Sequence, residues 1–353
     1  MEHAADASDA KPDRLSVLSD CLLHGILSLS SMGARRLVQT STLSRRWRHL
    51  WRDVPCLDVG PDEFQGDDQF DKWVRFNNFM DNLVLQHAAV GLDVLRMQVA
   101  EPPKDRSGRW SRPDGNSWVR RCLARYSPAV LDIRNQSTSG THVQMRRVTR
   151  GTVLCRLTTL RLTGVTLCAG FEHLIAASGC PRLQHLELRD CLVGFRELVA
   201  SSTLKTLVVE SCNMSMDNSS LRMGHTPRIV APGLASLHLV LLSWYAPLWE
   251  FEMPSLVEAM VVIDRGRVDK EFDLLCSLKN VTKLEISTFP SLHLVMNSRF
   301  GRDLPEFNNL TTLILEQCRF THNGLTLLEF FLLLAPNLEK LTLQNCMVHA
   351  YTC

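Results

Sequence analysis

Leucines recur with a short, regular spacing along the C-terminal part of the chain. Beyond residue 150 the phrase L-x-x-L-x-L, or a close variant of it, occurs eight times, and successive starts are 21 to 30 residues apart. The last apolar positions of each phrase alternate with other residues, which is the period of a strand with one buried face. One strand cannot bury two leucines alone, so the pattern predicts strands stacked side by side. The phrases start at Leu157, Leu183, Leu204, Leu234, Leu256, Val281, Leu310 and Leu338.

This phrase and this period are those of leucine-rich repeats. We therefore predict an α/β fold in which residues 151–353 form a leucine-rich-repeat solenoid, with a strand and a helix or loop in each repeat. The inward leucines of the strands, such as Leu313 and Leu341, should be buried. Glu285, on the other face of its strand, should contribute little to stability.

Cysteines follow four of the phrases at a constant distance. Each lies eight residues after the first leucine of its phrase, at the position where the strand bends into the loop. We interpret these residues as buried thiols rather than as disulfide bridges or nucleophiles. They are Cys191, Cys212, Cys318 and Cys346.

Residues 58–150 carry a weaker version of the same pattern. Short apolar segments at 57–59, 92–97 and 129–133 predict early, degenerate strands of the same solenoid, and segments 73–87 and 118–126 predict helices. Residues 101–116 are polar and contain proline and glycine, which predicts a loop. We interpret this region as linker helices and degenerate early repeats.

A different pattern marks residues 40–52, which read TSTLSRRWRHLWR. Leu43, Trp47, Leu50 and Trp51 fall on one face of a helix, and the arginines fall on the others. The segment could be a basic arm for nucleic acid or a packed helix with a solvated basic side. Aromatic residues in register with leucines favour the packed helix, because a nucleic-acid arm needs aromatic rings that are free to stack on bases.

Two further short helices are predicted before this segment. Ser19 can cap the first helix, Asp20 suits its N-terminal end, and a second helix should cover Ala34 to Gln39. Three short helices bury little surface alone. We expect them to complete their core against another protein or against the next domain.

These residues resemble the F-box of plant F-box proteins with leucine-rich repeats. The resemblance covers residues 13–57, with L-x-x-L-S-x-x-LL-x-x-IL-S followed by LSRRWRHLW and VP-x-LD. It implies a three-helix module that docks on a Skp-type adaptor, and through it on a cullin. Ser19 stands where the family usually has proline. The adaptor-binding residues implied are Leu15, Leu18, Ser19, Leu22, Leu23, Ile26, Leu27, Val38, Leu43, Trp47, Leu50 and Trp51.

The second candidate surface is the strand face turned away from the core. The central outward positions of successive strands mix both charges with apolar groups, which suits a protein better than a phosphate backbone. The hypothesis is a substrate receptor of a cullin-type (SCF) ubiquitin ligase, and the alternative is a ligase-independent binding scaffold with a degenerate F-box. The candidate target-binding residues are Arg161, Glu187, Val208, His238, Met260, Glu285, Ile314 and Thr342.

Charge and motifs narrow the classes of function that remain. The net charge is +2, but residues 13–56 carry seven arginines against three aspartates, while residues 57–353 are balanced. Steering of an acidic partner by the N-terminal segment is therefore plausible, and a dedicated nucleic-acid binder is not favoured. No P-loop, GxSxG or HExxH motif occurs, so we expect no enzyme, cofactor or metal.

The N-terminal residues, the apolar runs and the cysteines indicate the cellular compartment. The polar start, residues 1–12, should be a disordered tail with no secretory signal. The longest apolar run, residues 330–335, is too short to span a bilayer. The twelve cysteines include no CxxC pair. These features favour the cytoplasm or nucleus. Because the chain stops just after a strand, we expect either an exposed C-terminal edge of the last repeat or a naturally shortened chain.

Overall fold

The computed structural model describes most of the predicted N-terminal helical module and most of the predicted repeats. It covers residues 15, 17–29, 32–99, 117–135, 143–144, 154–168, 170–176, 178–194, 199–214, 228–242, 250–264, 268–287, 305–317, 319–320 and 325–348. The predicted N-terminal tail, the predicted loop at 101–116 and Cys318 lie outside the described residues.

The described residues form an α/β structure with twenty strands and eight α-helices. The helices are α1 Asp20–Leu29, α2 Ala34–Gln39, α3 Trp47–Leu50, α4 Gln69–Gln86, α5 Ser117–Arg125, α6 Phe171–Ile175, α7 Val268–Ser277 and α8 Leu325–Leu334. The first strands are β1 Cys56–Val59, β2 Val94–Val99, β3 Val130–Asn135, β4 Val143–Gln144, β5 Thr159–Thr163, β6 Val165–Leu167, β7 His185–Arg189, β8 Leu192–Val193, β9 Val199–Ala200 and β10 Thr206–Glu210. The others are β11 Asn213–Met214, β12 Arg228–Val230, β13 Ser236–Leu241, β14 Glu250–Glu252, β15 Glu258–Ile263, β16 Lys283–Ser287, β17 Thr312–Glu316, β18 Arg319–Phe320, β19 Lys340–Gln344 and β20 Met347–Val348.

A parallel sheet of eleven strands dominates the structure. Its order is β1-β2-β3-β5-β7-β10-β13-β15-β16-β17-β19, so neighbouring strands follow one another along the chain. Short strands that follow those of the main sheet, or lie in the loops between them, form three smaller sheets. This is the arrangement expected when each repeat adds one strand to the same sheet. The three degenerate segments predicted from sequence form β1, β2 and β3.

The register of the main sheet aligns the leucines of successive repeats. Leu207 of β10 pairs with Leu186 of β7 on one side and with Leu237 of β13 on the other. All three are at most 2% exposed, and the residues between them along each strand point away from the core. Burying such an aligned row removes apolar surface from water, which is the main stabilising contribution here.

The predicted cysteine positions lie directly after a tight bend. The residue before each cysteine has the left-handed backbone conformation, as at Asp190, with φ 50°, and Ser211, with φ 53°. The Cys191 Sγ then donates to the carbonyl oxygen of Leu162 at 3.4 Å, and Cys212 repeats the contact one strand further on. Both thiols are free and buried, as predicted, whereas Cys346 is free but only partly buried, so the prediction was wrong for its burial. The pKa of the Cys212 thiol is raised, mainly by its interaction with the Cys191 thiol and also by burial.

The N-terminal helices pack against the start of the sheet. Leu23, Trp47 and Trp51 belong to the same apolar core as Leu57 of β1. The Glu63 carboxylate accepts hydrogen bonds from the backbone N–H groups of residues 35 and 36, at the start of α2. A Cβ added to Gly33 would lie 2.2 Å from that carboxyl group, so a larger residue there would push the Glu63 carboxylate away from the N–H groups of α2. The helical module therefore completes its core against the following domain, one of the two expectations.

His87 lies at the joint between the helices and the sheet. It is fully buried, its Nε2 atom donates to the carbonyl oxygen of Val54 at 3.1 Å, and its ring faces Trp51 and Tyr126. Burial lowers the pKa of His87, because the charged imidazolium would lose its hydration there. The joint is thus built around a neutral histidine.

The last described strand of the main sheet departs from the sequence prediction. Leu313 in β17 is fully buried, but Leu341 in β19 is 38% exposed. The prediction for Leu341 was therefore wrong. Leu313 has a neighbouring strand on each side, whereas within the described residues β19 pairs with β17 alone. A leucine of an edge strand is covered on one side only.

Candidate functional site

The first candidate surface is formed by apolar side chains that the helical module leaves in solvent. Leu22 and Ile26 lie one turn apart on α1 and are 57% and 46% exposed. Leu15 and Val17 precede the helix, and Leu43 lies in the turn before α3; they are 47%, 83% and 65% exposed. We call these five residues the N-terminal apolar surface. Several exposed aliphatic groups on one small module are typical of a docking site.

Ser19 and Arg46 hold the start of α1. The Ser19 hydroxyl accepts a long hydrogen bond of 3.4 Å from the backbone N–H of Leu22, so serine caps the helix as predicted. The Arg46 guanidinium pairs with the Asp20 carboxylate at 2.6 Å and donates to the carbonyl oxygen of Leu18. Arg46 remains partly exposed, in agreement with the solvated side predicted for it, but it is also paired. Its side chain spans from the turn before α3 to the start of α1.

The structure divides the twelve predicted adaptor-binding residues into two groups. Leu15, Ser19, Leu22, Ile26 and Leu43 are exposed, and Leu18 and Val38 are partly buried. The other five form the inner side of the module, where none is more than 8% exposed: Leu23, Leu27, Trp47, Leu50 and Trp51.

Leu43 does not share the helix face that the sequence predicted. α3 begins only at Trp47, and Leu43 follows a short 3-10 turn, Thr40–Thr42. The tryptophans belong to the core, as favoured from the sequence. Val17 was missed; an apolar residue between Leu15 and Leu18, outside any periodic run, is the only signal that could have indicated it.

The second candidate surface is the outward face of the main sheet. On its N-terminal half the outward side chains are charged and paired with one another across strands. Arg161 lies 3.2 Å from Glu187, and Arg189 joins Glu187 to Glu210. Asp132, only 2% exposed, pairs with Arg134 at 2.5 Å. These charges satisfy each other within the sheet.

The C-terminal half of the same face is different. The central outward positions of β10, β13, β15, β16 and β17 are Val208, His238, Met260, Glu285 and Ile314, each paired in register with the next. All five are partly exposed. The predicted target-binding residues therefore lie in one continuous row with Arg161 and Glu187, and Thr342 ends it on β19.

Two residues of this half were missed from the sequence. Val240 and Val262 lie two residues after the central position of their strands, and they are paired in register with one another. Both are partly exposed. The signal was present in the apolar stretches LHLVLL and AMVVID, in which the outward positions are themselves apolar.

The described part of the chain contains no group of three or more histidine, cysteine, aspartate or glutamate side chains arranged to hold a metal ion. None of its helices has the length and apolar character needed to cross a membrane.

Comparison with known proteins places the chain among plant proteins. No family model matches it. It is 32% identical, over 95% of its length and 72% of the relative's, to a meiotic F-box protein of Oryza sativa subsp. japonica. A putative FBD-associated F-box protein of Arabidopsis thaliana is 27% identical over 87% of this chain and 70% of its own length. An Arabidopsis thaliana F-box/LRR-repeat protein is 26% identical over 85% and 72%. With its repeated strands and this similarity along nearly its whole length, the chain belongs to the plant F-box proteins with leucine-rich repeats.

Proposed function

We propose that this protein is the substrate-recognition subunit of a cullin-type (SCF) ubiquitin ligase and acts in the cytoplasm or nucleus. Residues 13–57 form the F-box that docks on a Skp-type adaptor, residues 58–150 connect it to the repeats, and residues 151–353 bind the target protein. The protein itself performs no chemistry. It holds the target near a ligase that is assembled on the adaptor and the cullin.

The observation that carries this proposal is the N-terminal apolar surface. Its residues are exposed although the rest of the module has a closed core. Leu22 is 57% exposed, so docking can still bury about half of its side chain, worth about 1 to 2 kcal/mol. Several such residues together supply the apolar centre that a stable protein interface needs.

The buried tryptophans support the proposal indirectly. Trp47 and Trp51 fill the module from inside and hold α1 in place, so the exposed residues form a preformed surface. A preformed surface loses less conformational freedom on binding. Ser19 caps α1 in place of the family's usual proline, so the start of the helix is defined without it.

Co-purification with a Skp-type adaptor tests the proposal. The wild-type chain should retain the adaptor, and Leu22→Asp should lose it, because docking would bury an unpaired charge. Leu22→Ala should weaken binding about five- to thirtyfold. Leu85→Asp is the matched control, since Leu85 is an 82% exposed leucine on α4. It should bind the adaptor like the wild type.

Two results would contradict the proposal. If the wild-type chain retains no adaptor at micromolar concentration, the ligase-independent scaffold becomes the better hypothesis. If it instead binds RNA or DNA with a steep salt dependence that Arg45→Glu removes, the segment at 40–52 is a nucleic-acid arm. Arg45 is the right probe because it is exposed and, within the described residues, has no ion-pair partner.

A further inference from the structure

The C-terminal half of the outward sheet face carries an unusual cluster of apolar residues. Outward positions of a sheet with one solvated face are normally polar. Here Val208, Met260 and Ile314 lie in one row, and Val240 and Val262 lie in the next. We call these five residues the apolar patch. It extends over five strands, which at the usual strand spacing is about 19 Å.

One carboxylate inside this patch has no partner among the residues that the structure describes. Glu285 is paired in register with Met260 on one side and Ile314 on the other, so its neighbours along the row are both apolar. It is partly buried, and within the described residues it has no hydrogen bond or ion pair. Lys283, two residues earlier on the same strand, pairs with Glu258 instead, at 4.0 Å. A half-buried carboxylate with apolar neighbours attracts a cation more strongly than one in open water.

Polar residues flank the patch. Glu210 and Glu316 occupy the second outward row at its two ends, with Val240, Val262 and Ser287 between them. His238, in the central row, lies 3.7 Å from Glu210. Glu210 is already paired with Arg189, so within the described residues the unpaired negative charge of this half comes from Glu285. That charge repels the phosphates of a nucleic acid and favours a basic polypeptide.

The paired half of the face makes a poorer binding centre. Arg161, Glu187 and Arg189 already neutralise one another, and a partner would have to desolvate them or break their ion pairs. The apolar patch carries no such cost. Interfaces gain most of their affinity from an apolar centre surrounded by a polar rim, which is the arrangement found here.

From this geometry we propose that target recognition is concentrated on the apolar patch, and that its partner is a protein segment in which aliphatic side chains flank a lysine or arginine. The aliphatic groups pack on Met260, Val262 and Ile314. The cation pairs with Glu285 between them. This inference rests on the proposed role of the repeats as the target-binding domain and specifies the chemistry of that target.

A panel of synthetic peptides provides the probe. All members carry varied aliphatic residues around one central position, which is lysine, glutamine or glutamate. Binding is measured by fluorescence anisotropy to the full chain, in the presence of the adaptor when it co-purifies. The lysine members should bind about tenfold or more tightly than the glutamate members. Glu285→Lys should reverse that preference, a result that loss of folding cannot imitate.

Three further variants sharpen the test. Met260→Asp should weaken the binding of the lysine peptides about tenfold or more, because it puts a charge at the apolar centre. Glu285→Gln should reduce the lysine preference without reversing it. Glu339→Lys makes the same charge change at an exposed residue beside β19 and should leave the preference as in the wild type. Melting curves check that each variant is folded.

The outcomes separate this inference from the proposed function. No binding of any peptide up to about 1 mM, or a lysine preference that Glu285→Lys leaves unchanged, overturns the inference even when the adaptor co-purifies. A lysine preference that reverses with Glu285→Lys supports the patch. If the adaptor fails to co-purify in that case, the proposed ligase role fails while the patch remains a binding site.

Discussion

Two leucines at equivalent positions of neighbouring strands should differ strongly in their contribution to stability. Leu313 and Leu341 are paired in register, yet Leu313 is fully buried and Leu341 is 38% exposed. Truncation to alanine removes the same atoms from both side chains. The difference in the free energy of unfolding between Leu313→Ala and Leu341→Ala therefore measures what a second neighbouring strand contributes.

The magnitudes follow from burial. A leucine-to-alanine change in a closed core costs about 3 to 5 kcal/mol, because a cavity adds to the lost transfer free energy, and this applies to Leu313. For Leu341, transfer of the three lost carbons is worth about 2.4 kcal/mol when fully buried. With 38% of the side chain exposed, about 1.5 kcal/mol remains, and an open edge leaves no closed cavity.

Urea unfolding followed by far-UV circular dichroism measures both costs at 25 °C. The midpoint should fall clearly more for Leu313→Ala than for Leu341→Ala, with similar slopes. Leu333→Ala, at a residue that is 78% exposed, is the control and should change stability by less than about 0.5 kcal/mol. Equal costs for Leu313→Ala and Leu341→Ala would refute the reasoning, since they would mean that β19 is as well covered as β17.

Three other predictions test the joint, the helix start and the thiols. Gly33→Ala should destabilise the chain by about 1 to 3 kcal/mol in urea titrations, because the methyl group displaces the Glu63 carboxylate from the α2 N–H groups. The lowered pKa of His87 means that the unfolded chain binds a proton first, so stability should fall as pH drops below about 6.5; His87→Phe should flatten that decline. Cys191 and Cys212 should react slowly with a thiol reagent in the native protein and fully after unfolding without reductant.

Each of these has a result that would count against it. A stability of Gly33→Ala equal to the wild type would remove the structural role of the Glu63 contact. An equal decline with pH in the wild type and in His87→Phe would show that other groups control acid sensitivity. Native disulfides at Cys191 or Cys212, detected by mass spectrometry, would contradict their assignment as buried thiols.

Much of the fold could be predicted because the repeat pattern is local. The alternation of leucines within one strand decides which side chains face the core, whatever the rest of the chain does. The buried thiols of Cys191 and Cys212 follow from their constant distance to the strand. Periodicity does not decide exposure within a helix, because the adjacent leucines of α1 differ: Leu23 is buried and Leu22 is exposed.

The tertiary structure decided which of these residues remain available to a partner. Leu43 and Arg46 were assigned by helical periodicity, but α3 starts at Trp47, so Leu43 is exposed and Arg46 reaches back to Asp20. On the sheet face, Arg161 is paired with Glu187, whereas Glu285 has no ion-pair partner within the described part of the chain, although both occupy the same position in their strands. Sequence by itself determined the face to which each side chain belongs, because that depends on residues one or two places away. Pairing and exposure depend on neighbours some twenty to thirty residues distant, which only the stacked strands bring together.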